Sequence, residues 1–309
     1  IEVRITCGTD LYLPPFLFVF GVISNIFVII VMRSKAFRSI STSFYMTANA
    51  VTDATSLLIN LPVHYIFVNF HQVFRNAMHA HYMCSFFNVL GWGSSDLGIL
   101  FTVAMTTERA IAIRYPLRAY RLCTTRRAMM VVIGLTIFEL LKLSHMAYKS
   151  RVVANTTSRL CDLNTDNPDY ANFVEYIWPW IHFSILMVSY VLVMAGNVVI
   201  LVNIKKSSNA AATNGVGRKT VSKESRSAAK NRQLSIMLVL DSCCLIACTL
   251  PYGIVIILTT RFPVLKDSLG GKNLAYTSTF YLLYINRCLN FLLYCISGAR
   301  FRETIKNMF

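Results

Sequence analysis

CSFFNVLGWGSSDLGILFTVAMTTER, residues 84–109, runs from a thiol at Cys84 to an acid and a cation at Glu108 and Arg109, through an apolar stretch. As a helix this segment is about 37 Å long, enough to cross a bilayer from one interface to the other. A thiol near one face and a fixed cation at the other imply an oxidising outside and a working inside.

Six further stretches are comparably apolar. The chain has 309 residues, of which 55% are hydrophobic and only 14% charged, with a mean hydropathy of +0.52. A soluble domain of this size carries more charge, so the class is polytopic membrane protein. The expected spans are Leu13–Met32, Phe44–Phe67, Tyr82–Ile113, Ala128–His145, Tyr176–Val202, Leu234–Leu258 and Leu274–Ser297. Backbone amides in hydrocarbon need internal partners, so each span is a helix and the fold is an all-α bundle of seven. Residues 1–12 are expected as an outer N-terminal segment, 13–297 as the bundle, and 298–309 as a short surface helix.

The net charge of +16 resembles a nucleic-acid signal until it is mapped. Nineteen bases fall on one side of the spans, among them Arg33, Arg118, Arg127, Lys205, Lys230, Arg232 and Arg302, against eight on the other. That bias places the N-terminus outside and the C-terminus in the cytoplasm. The excess reflects topology and contact with anionic lipid, not nucleic-acid binding. Asn155-Thr156-Thr157, after span four, is a glycosylation sequon on the side assigned to the exterior. Cys84 and Cys161 lie on that side too, where a disulfide can persist. Cys7 has no evident partner there, while Cys243, Cys244, Cys248, Cys288 and Cys295 read as packing thiols within helices. The chain starts at Ile1, and both tails are expected to be trimmed; span one can itself direct insertion. Past Ser297-Gly298, Phe301 and Ile305 stand four apart among Arg300, Arg302 and Lys306, the pattern of a helix on the inner membrane surface.

Polar residues recur at fixed places in the apolar stretches. Gly21-x-x-x-Asn25 lies in span one and Ala50-Val51-Thr52-Asp53 in span two. Glu108-Arg109-Ala110 ends span three, followed by Pro116-Leu117. Cys248-Thr249-Leu250-Pro251 lies in span six, and Asn290-Phe291-Leu292-Leu293-Tyr294 in span seven. Over almost its whole length the chain resembles the rhodopsin-like (class A) G-protein-coupled receptors. The string from Asn290 through Gly298 and Phe301-Arg302 is most similar to invertebrate neuropeptide receptors of the FMRFamide and myosuppressin types.

The resemblance implies a receptor, not an enzyme, in the plasma membrane. It would take an extracellular peptide and activate a heterotrimeric G protein by opening its cytoplasmic face. It implies a Cys84–Cys161 disulfide, an Arg109 held at rest by adjacent Glu108, and Leu117 as an apolar knob against the G protein. Lys230 and Arg232 stand at the foot of span six, where no acid is available, so no ionic lock to span three is expected. Thr249 replaces the usual Trp and Phe291 the usual Pro, Gly134 stands where span four usually has Trp, and span five has no central Pro.

An unpaired carboxylate in mid-membrane is costly and usually functional. The resemblance makes Asp53 a sodium site, with Asn25, Asn286 and Asn290. Arg287 should face the same cavity and take the ion's place by pairing with Asp53; otherwise it contacts backbone carbonyls. Glu139 and Lys142, three apart on one helical face, are expected to neutralise each other. The alternative has Glu139 reaching a cationic ligand. Asp96 is expected at the floor of a ligand pocket also lined by His64, Trp92, Trp180, His182, Tyr252, Tyr281 and Tyr284, although such aromatics equally form interfacial belts. Gly91 stands where aminergic receptors place an Asp, and Tyr284 where opsins place a Lys, which disfavours amines and retinal. The competing readings are a small-molecule chemosensory receptor of the same fold, a receptor with altered coupling, and a polytopic transporter.

Overall fold

The computed structural model describes residues 2–75, 80–152, 161–213, 223–261 and 274–308. Asn155 lies outside the described residues, as do the side chains of Cys7, Cys161 and Lys230. Among the described residues seven helices are long and apolar enough to cross a membrane: Gly8–Arg33, Ser41–Phe70, Tyr82–Arg114, Thr125–Lys149, Pro168–Lys206, Arg232–Leu258 and Leu274–Ser297. These are spans one to seven below. Every expected span lies within its helix, and the last coincides with it. The helices run further because hydropathy marks only the apolar slab, whereas backbone hydrogen bonding continues into the polar flanks.

Span one begins well before expectation. Its helix is continuous from Glu2 to Arg33 and contains Pro14 and Pro15, so residues 2–12 extend it rather than forming a separate segment. Asp10 secures this extension: Tyr281 Oη donates to Asp10 Oδ1 at 2.7 Å, and Asn69 Nδ2 donates to the Asp10 carbonyl at 3.1 Å. Span two widens into a π-helical turn at Ser56–Asn60, where Asn60 Nδ2 reaches Ser94 Oγ of span three at 3.3 Å. Such turns frequently mark functional positions within helices.

Span one packs on spans two and seven, span three on spans two, four and five, and span six on span seven. Gly21 permits the closest approach: a Cβ there would lie 2.5 Å from Cys288 Sγ and 2.7 Å from Leu57 Cδ1. One core cluster, near the Arg109 end, joins Val28, Met46, Met105, Leu238, Tyr294 and Phe301. A second, towards the Cys84 end, joins Leu17, Leu57, Leu61, Tyr281, Tyr284 and Cys288. Outward-facing residues are equally apolar, as a lipid solvent requires; Ile133, Ile137, Phe138 and Leu141 of span four are all exposed.

Two short strands, β1 (Ser150–Val152) and β2 (Cys161–Leu163), pair antiparallel with Val152 opposite Cys161, and both pack beside span three. Beyond span seven, Ala299–Lys306 forms a terminal helix. It is anchored by Phe301, which is fully buried against the rings of Phe37, Phe291 and Tyr294. Arg302 Nη1 donates to the carbonyls of Cys295 and Ile296 at 2.7 and 2.8 Å, satisfying acceptors that the end of span seven leaves open.

Candidate functional site

Among the described residues, three of the polar groups that interrupt the apolar bundle hold the expected site residues. The central one surrounds Asp53, which is 5% exposed. Asn290 Nδ2 donates to its Oδ2 at 2.8 Å and Asn49 Nδ2 to the same oxygen at 3.4 Å. Arg287 Nη1 lies 3.4 Å from Oδ1, while Nη2 donates to Ser95 Oγ at 2.6 Å. The guanidinium therefore ties span seven to spans two and three and neutralises Asp53 without an added ion. Asn25 joins through the backbone, donating to the Arg287 carbonyl at 2.9 Å. Asn286 is buried but makes no hydrogen bond to this group among the described residues. Asn49 and Ser95 were not anticipated. Asn49 lies four residues before Asp53, a helical neighbour that spacing could have identified; nothing in the sequence places Ser95.

The second group lies at the Arg109 end. Glu108 makes no hydrogen bond to Arg109 among the described residues, although its charge acts on the guanidinium. Its Oε1 accepts hydrogen bonds from Ser41 Oγ at 2.7 Å and Thr42 Oγ1 at 3.1 Å, at the start of span two. Consecutive residues on a helix diverge by about 100°, which lets the Glu108 carboxylate turn towards span two. Arg109 is 7% exposed, forms no ion pair among the described residues, and its Nε lacks a hydrogen-bond partner. Cys123 Sγ approaches the Glu108 carbonyl at 3.7 Å. Burial pushes this thiol up, and the Glu108 carboxylate adds to that, with Arg109 and Arg127 opposing. Pro116 starts a short helix, Pro116–Leu122, from which Leu117 projects at 90% exposure. Arg232 is exposed. Tyr294 is buried in the core beneath the terminal helix.

The third group lies towards the Cys84 end. Lys142 Nζ lies 2.7 Å from Glu139 Oε1, the expected neighbour, and 2.5 Å from Asp96 Oδ2, which was not expected. His182 Nδ1 stands 3.3 Å from the same Asp96 oxygen, and Trp92 meets His182 edge-on at 5.3 Å. Asp96, Glu139, Lys142 and His182 thus join spans three, four and five. Beside them, His64, Tyr252, Tyr281 and Tyr284 converge on Phe280, with ring centroids 4.3 to 6.1 Å away. Phe280 was missed because an aromatic in an apolar helix carries no sign of which way it faces. Trp180 is half-exposed and packs on Phe183 of its own helix, a belt position rather than part of this aromatic cluster. In span six, Thr249 Oγ1 and Tyr190 Oη are 2.8 Å apart, linking spans five and six next to buried Cys248 and two residues before Pro251.

Cys84 is fully buried and disulfide-bonded, whereas Cys123, Cys243, Cys244, Cys248, Cys288 and Cys295 are free.

The chain matches the family described as 7 transmembrane receptor (rhodopsin family) over residues 24–294. It is 26% identical to the alpha-1A adrenergic receptor of Rattus norvegicus over 94% of the chain and 66% of that relative. Against the alpha-1A adrenergic receptor of Homo sapiens it is 25% identical with the same coverage. Similarity to the pyrokinin-1 receptor of Drosophila melanogaster, 29% identical, covers 38% of the chain and 26% of that relative. The chain thus spans about two thirds of the length of the adrenergic relatives it matches (66%).

Proposed function

The chain belongs to the rhodopsin family of seven-transmembrane receptors, and on that premise we propose that it binds an extracellular peptide and activates a heterotrimeric G protein. In this reading it sits in the plasma membrane with the Cys84 end outside and the Arg109 end in the cytoplasm, as the distribution of basic residues favours. Family membership replaces the transporter reading and is that of receptors rather than enzymes.

The observation that carries the coupling half is Arg109: a buried guanidinium with no ion pair among the described residues and an Nε lacking an acceptor. An unsatisfied buried donor is costly, and a partner's carbonyl or carboxylate arriving when the helices part would satisfy it. Leu117, exposed on its short helix, supplies an apolar contact beside it. Ligand and G protein would favour the same open state, so each should raise the other's affinity, by about 5–150-fold in a typical coupled system.

The strand pair supports a peptide. β1 and β2 form a two-stranded sheet beside span three, and an extended chain can add to a sheet through its backbone. Cys161 is the proposed partner of Cys84: it opens β2, which packs on the helix carrying Cys84. Asn155 is the proposed glycosylation site. Arg287 is proposed to stand where relatives in the resemblance hold sodium, making agonist affinity indifferent to that ion. The alternative is a small-molecule ligand, since the relatives matched over most of the chain are adrenergic receptors. Against an amine at the usual place stands Gly91, which faces Asn60 and carries no acid.

Screening amidated peptides beside biogenic amines, with a calcium or cAMP readout, separates the two classes. Arg109→Ala should abolish the response while surface expression and ligand binding persist. A signalling Arg109→Ala receptor would overturn the assigned role.

A further inference from the structure

Spans five and six are joined by two hydrogen bonds built in the same way. Towards the Cys84 end, Thr249 Oγ1 donates to the Leu245 carbonyl of its own helix at 2.7 Å. A hydroxyl has one proton to give, so Tyr190 Oη is the donor of the 2.8 Å bond to Thr249. Towards the Arg109 end, Ser242 Oγ donates to the Leu238 carbonyl at 2.8 Å, and Asn197 Nδ2 donates to that hydroxyl at 2.7 Å. Asn197 Oδ1, at 3.1 Å, is the more distant acceptor for the Ser242 proton. In both bonds span five donates, and a span-six hydroxyl turned onto its own helix accepts.

The spacing is matched as well. Tyr190 and Asn197 are seven residues apart, and so are Ser242 and Thr249, which is two turns or about 10 Å on either helix. The two helices run in opposite directions, so both bonds close at a single register, and sliding either helix by a turn breaks both. Val193 stands between the rungs on span five and is fully buried. The seam is otherwise lightly held. Span six packs chiefly on span seven, and span five chiefly on span three, so closely that a Cβ on Gly196 would lie 2.7 Å from Thr106 Cγ2. No ion pair joins span six to span three or span five among the described residues.

We propose that this two-rung ladder is the latch that keeps the inner face shut while no ligand is bound. Tyr190, Asn197 and Ser242 are buried, and parting the helices in an apolar interior strands a donor at each rung. The ladder also reaches towards both ends of the bundle. Tyr190 packs with Ile99, three residues after Asp96. Gly196, beside Asn197, meets Thr106, three residues before Arg109. The proposal rests on the receptor reading above, and its test separates the two.

The test uses ligand-free receptor in phosphatidylcholine nanodiscs. It reads hydrogen exchange of the amides from 232 to 242, and nucleotide exchange on a panel of purified heterotrimeric G proteins. Asn197→Leu with Ser242→Ala removes the lower rung, and Tyr190→Phe with Thr249→Val the upper. Each pair replaces both partners with apolar groups, so the thermal melt should stay near that of the parent. Each should raise both readouts by about fivefold, the weight of one neutral hydrogen bond, and all four changes together by about twentyfold or more. The exchanged pair Asn197→Ser with Ser242→Asn rebuilds the lower rung from the opposite side and should return both readouts to the parent level. Should one apolar pair fail to fold, the other reads the same seam. Unchanged hydrogen exchange in the apolar pairs would overturn the latch. So would a rise spread over all seven spans, which is lost stability, or an exchanged pair as open as the apolar one. Faster hydrogen exchange confined to spans five and six, with no G protein activated, would uphold the latch and overturn the coupling reading instead.

Discussion

Asp53 and Glu139 are both buried carboxylates on apolar helices, yet their surroundings differ. Asp53 meets one guanidinium, which no other carboxylate shares among the described residues, and two amide donors. Glu139 shares Lys142 with Asp96. In the first group the guanidinium joins spans two, three and seven, with Asp241 of span six buried within reach of the Asp53 charge; in the second, two carboxylates share one lysine. A matched group behaves as a fastening, because removing either ion strands the other.

The sharpest way to break this comparison is to remove the shared lysine. Lys142→Met leaves Asp96 and Glu139 facing each other without a cation, and breaking a buried pair typically costs about 3–5 kcal/mol. We expect this variant to fail surface expression or to melt far below the parent. Adding Asp96→Asn and Glu139→Gln should restore most of the loss, since a neutral triad strands no charge. Failure of that rescue would show that Lys142 matters through packing instead.

Arg287→Leu is the matching experiment in the central group. It strands a single carboxylate that still accepts from Asn290 and Asn49, so the expected loss is smaller, about 3 kcal/mol. Pairing it with Asp53→Asn should recover most of that. The single variant should also acquire a sodium-selective effect on agonist affinity, compared with N-methylglucamine at equal ionic strength. A parent receptor already responding selectively to sodium would sink the idea that Arg287 occupies the ion's place.

These two groups were not equally legible. The seven spans follow from hydropathy alone, because helices are the open-chain solution to burying backbone amides in lipid. Arg287 and Asp53 could be paired because few ions lie within the spans and an intramembrane arginine needs an anion. Glu139 and Lys142 could be paired from their spacing. The bond from Lys142 to Asp96 could not, since it depends on how spans three and four are rotated against each other. In a soluble protein the apolar stripe would reveal that rotation, but here the lipid-facing side is as apolar as the interior. The same loss of contrast hid the outward position of Trp180 and the central place of Phe280. Ser41 and Thr42 were hidden for another reason: their bonds to Glu108 join helix ends 66 and 67 residues apart, a distance at which sequence carries no geometric information.

The smallest effects probe the neutral partners. Ser95→Ala removes the acceptor of an Arg287 bond made at 2.6 Å, and hydrogen bonds to charged groups contribute about 1.5–3 kcal/mol. The donor left behind is buried, so the loss should approach the upper half of that range, read as a lower melting temperature in nanodiscs. His182→Phe keeps a ring against Trp92 and Trp178 and removes only the nitrogen near Asp96. Asp96 retains Lys142, so the loss should be nearer about 1 kcal/mol. A closed group should therefore feel the loss of a neutral partner more than an open one. If His182→Phe proved the costlier of the two, the imidazole would have to be charged and completing the second group itself, and the contrast between the clusters would disappear.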